Sequence, residues 1–200
     1  MNQTTDKKPE PKEVRDATLD GLKRIYLIII GLAIAQALTR AFTEHDILAP
    51  HLAQLSLLGA FLPTAIRFAH GSVLHLSVLS GVQKWRWDML GLLLQAVLFF
   101  VAALALDNLT LFVSFYATIF ILDTVWLLIL AKGGHPLSHT ERQWVTSNVV
   151  QLLFIALLMV LVWRVQLSEI AVAIALAVAA FGAAWWDYSH NCEHYFPAQG

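Results

Sequence analysis

Six long apolar runs, separated by short polar punctuation, dominate this 200-residue chain. The hydrocarbon core of a bilayer is about 30 Å thick, so a helix needs about 20 mostly apolar residues to cross it. Within that core every backbone N–H and C=O must find a partner inside the protein, which leaves helices or a closed barrel. The runs are Leu22–Leu38, Ile47–Ala69, Met89–Leu106, Leu109–Ala131, Trp144–Trp163 and Leu167–Trp186. They are continuous rather than alternating, which predicts helices. Hydrophobic residues make up 58% of the chain and charged residues only 14%, well short of what a water-covered domain carries. The expected fold is therefore all-α, an integral membrane bundle of about six transmembrane helices, with residues 21–200 forming one polytopic domain. Met1–Asp20 is charged, contains Pro9 and Pro11 and has little apolar content, so residues 1–20 are expected to be a disordered tail. Lys23 and Arg24 before the first run, with Ala35-Gln36-Ala37 within it, faintly resemble a signal peptide. The reading adopted is a retained anchor.

Orientation follows from the placement of Lys and Arg, which accumulate on the cytoplasmic side. With the N-terminus inside, cytoplasmic segments carry Lys7, Lys8, Lys12, Arg15, Lys23, Arg24, Lys84, Arg86, Lys132 and Arg142, and external loops carry Arg40 and Arg164. Ten against two predicts a multi-pass inner (plasma) membrane protein with both termini cytoplasmic. The second run is too long for a simple crossing. From Ile47 to Val82 is a length of about 54 Å as a straight helix, with Pro63 as a kink site and Gly71–Gly81 as an extension or interfacial stretch. Asp107-Asn108 reads as a tight turn joining the third and fourth spans into a hairpin.

On this topology the polar residues gather in one leaflet. Arg67, His70 and His75 lie near the inner end of span two, Asp123 in the inner half of span four, and His135 and His139 in or beside the following loop. Asn148 opens span five, and Asp187, His190, Asn191 and His194 end span six. Ionisable groups inside a membrane are costly and normally face a bundle interior or wet cavity. Asp123 is the sharpest case, and Arg67 is its expected ion-pair partner. Asn148 and Gln151, one turn apart, are expected to bond neighbouring helices. Ser138 with Glu141 three residues later reads as a capping box opening span five, while His135 and His139, flanking Pro136, read as loop residues. Asp187, His190, Asn191 and His194 follow an i, i+3, i+4, i+7 spacing and are expected to share one helix face. His at i and i+4 can clamp a metal between successive turns. The plain alternative is a solvated helix end, where His also favours the negative pole of the dipole.

The order His, then Asp, then a terminal His-x-x-x-His, given by His75, Asp123, His190 and His194, resembles the pattern of membrane zinc hydrolases such as alkaline ceramidases and adiponectin-type receptors. Those proteins have seven spans, begin a helix with the final pair, and set the first His and Asp closer together. The three His pairs also resemble the histidine boxes of membrane di-iron desaturases and hydroxylases, which contain adjacent His-His dipeptides where this chain has none. The chain is assigned to neither family.

Two classes of function are expected from these residues. In the first, a metal-dependent membrane hydrolase or oxidoreductase acts on a lipid-like substrate. His75, His190 and His194 would bind a divalent metal (Zn or Fe), with His70, His135 and His139 as secondary candidates. Asp123 and Asp187 would be catalytic or orient a ligand, and Arg67 and Asn148 would bind substrate, Arg67 holding an anionic headgroup. In the second, a non-enzymatic channel, transporter or membrane effector uses the same cluster to bind a small-molecule ligand or to gate a path. The lipid bilayer is the expected partner, and oligomerisation is left open. A net charge of −1 gives no support for nucleic acid, and the single cysteine, Cys192, excludes an internal disulfide. Neither a phosphate-binding glycine loop nor a Gly-x-Ser-x-Gly elbow is present.

Overall fold

The computed structural model of the chain describes residues 12–43, 50–78, 85–132, 137–191 and 195. They form six α-helices and no strand: α1 (Lys12–Thr43), α2 (Pro50–Val78), α3 (Trp85–Leu104), α4 (Leu109–Lys132), α5 (His139–Val165) and α6 (Glu169–His190). Five of these are long and apolar enough to cross a membrane, and the sixth, α3, carries a shorter apolar stretch at Met89–Leu104. The all-helical multi-pass bundle expected from the six runs is therefore present. The tail assigned to residues 1–20 falls partly outside the described residues; from Lys12 onward it is the beginning of α1.

The helices run up and down. Tyr26, midway along α1, meets Ser72 in the last third of α2 and Gln95 on α3, while Arg40 near the end of α1 reaches Asp107 after α3. The start of α1 and the ends of α2, α4 and α6 therefore share one end of the bundle, here the lower end. Neighbours around the ring are α1, α3, α4, α5, α6 and α2, which packs closely on both α6 and α1.

The surface is inverted relative to that of a water-soluble protein. Ile28, Leu153, Val178 and Phe181 are more than half exposed, while Arg67, Asn148, Asp187 and Gln95 are buried. Exposed apolar surface on this scale would be disfavoured in water and costs nothing against lipid chains. Exposed Trp163 beside Arg164 at the upper end, and Trp185 and Trp186 near the lower end, fit the belts that aromatic rings form at the two interfaces.

Inside, α2 supplies the central face. Phe68 meets Phe99 of α3, Phe120 of α4 and Trp144 of α5 edge-on, at centroid separations of 5.6, 5.6 and 5.7 Å, the arrangement the ring quadrupoles favour. One turn away, the Thr64 hydroxyl bonds the Tyr116 hydroxyl of α4 at 2.7 Å. α2 continues unbroken through Pro63, from Pro50 to Val78; the flanking parts of the long run lie outside the described residues. Gly71 is where glycine is required. A Cβ there would overlap the indole of Trp144, so its absence lets α5 approach α2.

The connections follow local rules. Asn108 accepts from the Leu111 N–H at the start of α4, closing the expected tight turn between α3 and α4. Ser138 and Glu141 form the reciprocal capping box of α5. His139 is consequently the first residue of α5 and not a loop residue. At the upper end α5 stops at Gln166 in the left-handed region (φ 53°), and Ser168 caps α6 two residues later.

Candidate functional site

Polar side chains converge on the lower half of the bundle from all six helices. The closest contact is an ion pair. Arg67 on α2 donates through Nε to Asp187 Oδ2 on α6 at 2.8 Å, with both residues almost fully buried. Asp187 is further held by Asn191 Nδ2 on Oδ1 at 2.9 Å and by the Tyr195 hydroxyl on Oδ2 at 2.7 Å. Burial, reinforced by the Asp187 carboxylate, raises the Tyr195 phenol well above its usual range, so it remains a donor. The Arg67 guanidinium also lies over the rings of Trp144 and Phe68 at 5.4 and 5.8 Å, a cation–π cradle. The expected pairing of Arg67 with Asp123 is thus corrected. Asp187 lies on α6, which packs extensively against α2, whereas Asp123 is bound by two amides.

Asp123 on α4 is partly buried and accepts from Asn148 Nδ2 of α5 at 2.7 Å and from Gln95 Nε2 of α3 at 3.1 Å. Gln95 Oε1 in turn accepts from the Tyr26 hydroxyl of α1 at 3.0 Å, and Ser72 of α2 lies within bonding distance of both. Asp123 therefore sits at the head of a hydrogen-bonded chain through four helices. On its other side His75 Nδ1 contacts Glu141 Oε1 at 3.1 Å, between the last turns of α2 and the first turn of α5.

Several buried polar atoms around these groups have no partner among the described residues: Arg67 Nη1 and Nη2, His75 Nε2, Thr124 Oγ1, Trp144 Nε1 and Asn148 Oδ1. Buried polar groups are nearly always bonded to protein or ordered water. A cluster of orphans flanking two carboxylates marks a place suited to water or a small solute.

The histidines are scattered around this core. His70 packs on Tyr195 and Tyr188 with ring centroids 4.8 and 5.9 Å away, its Nδ1 being 3.4 Å from the Tyr188 hydroxyl. His190 is exposed, stacked on Trp186 at 3.8 Å, with Nδ1 close to the Trp186 carbonyl and Ser189 hydroxyl. The terminal stripe thus divides: Asp187 and Asn191 turn inward and His190 turns out. His139 is exposed at the start of α5; His135 and His194 lie outside the described residues. Among the described residues, no group of three or more His, Cys, Asp or Glu side chains is placed to hold a metal ion. The inward stripe is instead Asp187, Asn191 and Tyr195, at i, i+4 and i+8. Tyr195, Tyr26 and Gln95 belong to the network without having been singled out from sequence; Ser72, which the sequence offers as a nucleophile beside His75 or as a hydroxyl bonded to its own helix, instead meets Tyr26 and Gln95. Only Tyr195 carried a usable signal, its spacing from Asp187.

The chain matches no known family model, no curated protein and no solved structure.

Proposed function

We propose that this protein is a non-enzymatic channel or transporter of the inner membrane that takes up a proton or a small monovalent cation at Asp123. The observation that carries the reading is the coordination of Asp123: two amide donors bond it, while the one bond Arg67 makes to a carboxylate, through Nε, goes to Asp187. One buried cation among two carboxylates leaves an acidic surplus in the polar core. A carboxylate in a membrane bundle, lacking a bonded cation and held by two neutral amides, suits a proton or cation relay. Asn148 Oδ1 and Thr124 Oγ1, both buried and unpartnered, add neutral oxygens of the kind that replace a cation's hydration shell. His75 and Glu141, paired at 3.1 Å, lie where a proton would arrive from the lower, cytoplasmic side.

The alternative, a metal-dependent enzyme acting on a lipid-like substrate, draws less support. His190 is occupied with Trp186, and Asp187 already accepts from three donors. Reconstitution decides between them. Purified protein in vesicles with a trapped proton-, sodium- or potassium-sensitive dye should pass one of these ions under an imposed gradient. Asp123→Asn should lower that flux to the level of empty vesicles, and His190→Ala should leave it unchanged. Absence of proton, sodium and potassium flux from the unaltered protein overturns the proposal. Stoichiometric zinc or iron, lost on replacing His190 and His194 together by Ala, would restore the enzyme reading.

A further inference from the structure

α5 and α6 pack sparsely, and a groove of about 650 Å³ opens between them on the flank of the bundle. This is within the usual size of a ligand site. Its lower end is polar, with Arg142, Gln143 and Ser147; its upper end is apolar, with Val150, Phe154 and Ala183. From Arg142 to Phe154 is twelve helical residues, about 18 Å, against about 15 Å for one leaflet of hydrocarbon. The groove therefore extends over about the thickness of one leaflet.

Its polar groups are short of partners. Arg142 uses Nε on the Leu137 carbonyl at 3.2 Å, leaving its two amino groups without a bond among the described residues. Gln143 Oε1 is buried and unpartnered. Gln151, 7% exposed, faces the same groove, and its side chain makes no hydrogen bond among the described residues. A cation at the mouth, an amide acceptor beside it and an apolar trough one leaflet deep match an anionic phospholipid. We propose that the α5–α6 groove binds one such lipid, its phosphate on Arg142, a headgroup hydroxyl donating to Gln143 Oε1, and an acyl chain along Val150, Phe154 and Ala183. Basic sites between transmembrane helices on the cytoplasmic side are a recurrent place for acidic headgroups. This site is separate from Asp123, so ion flux and lipid binding stand or fall independently.

Native mass spectrometry of detergent-purified protein exposed to phosphatidylglycerol, phosphatidylcholine or oleate tests it. The protein should retain one phosphatidylglycerol in preference to phosphatidylcholine. Arg142→Gln, at an exposed position, should weaken that retention about tenfold, the loss of one charge-assisted hydrogen bond. Ala183→Phe, which fills the trough and keeps the arginine, should abolish it. Equal retention of phosphatidylcholine, retention of oleate alone, or full retention by Arg142→Gln would each overturn the assignment. The comparison of lipids on the unaltered protein and the Arg142→Gln result remain decisive if Ala183→Phe does not fold.

Discussion

At the scale of single residues, the decisive feature is which carboxylate Arg67 chose. Removing one partner of a buried ion pair strands the other charge, typically at a cost of about 3–5 kcal/mol. Asp187→Ala should therefore lower the unfolding midpoint in detergent sharply, and Asp187→Ala combined with Arg67→Met should recover much of the loss. A double-mutant cycle between Arg67 and Asp187 should show stronger coupling than one between Arg67 and Asp123; equal couplings would contradict the observed pairing. Tyr195→Phe removes a 2.7 Å bond to the same carboxylate and should cost about 1.5–3 kcal/mol, the range for hydrogen bonds to charged groups. An unfolding midpoint indistinguishable from wild type would mean that Tyr195 contributes packing alone. The sequence showed that Arg67 needed a partner, because burial depth is a property of its own helix. It did not show which partner, because that depends on whether α2 lies against α4 or α6.

Among the elements, what was legible was local. The cap of α5 is written in Ser138 and Glu141, and the α3–α4 turn in Asp107-Asn108, since each is closed by groups within four residues. Ser138→Ala should consequently lower stability by about 1 kcal/mol, measurable in the same unfolding assay; no change would show that tertiary packing alone fixes the start of α5. The stripe on α6 was only half legible. At 100° per residue, His190 and Asn191 fall about 60° to one side of Asp187 and 40° to the other. Spacing alone groups them, yet Asn191 is buried with Asp187, and His190 instead is exposed and stacks on Trp186. The fit of α2 to α5 was not legible at all, because Gly71 and Trp144 are far apart in sequence. Gly71→Ala should cost about 1–3 kcal/mol through overpacking, and Trp144→Leu should relieve much of that penalty. If Gly71→Ala proves as stable as wild type, the indole can yield and the close approach is not a constraint.

For the molecule as a whole, function turns on which face of the bilayer each end of the bundle meets. The up-and-down arrangement places the start of α1 and the end of α6 at the same end, so one experiment orients everything. Lys and Arg near the spans decide orientation, and their excess lies at the lower end. Arg67 does not enter the balance, because it is buried and neutralised by Asp187. A fluorescent or phosphatase reporter fused at Gly200 should therefore behave as cytoplasmic, and one inserted between α1 and α2 as external. That outcome would put His75, Glu141 and the mouth of the α5–α6 groove on the cytoplasmic leaflet, where protons enter from the cell and acidic lipids supply headgroups for Arg142. The reverse outcome would leave the bundle intact but turn the Asp123 chain toward the outside, so that any gradient-driven flux through it would begin from the external pH.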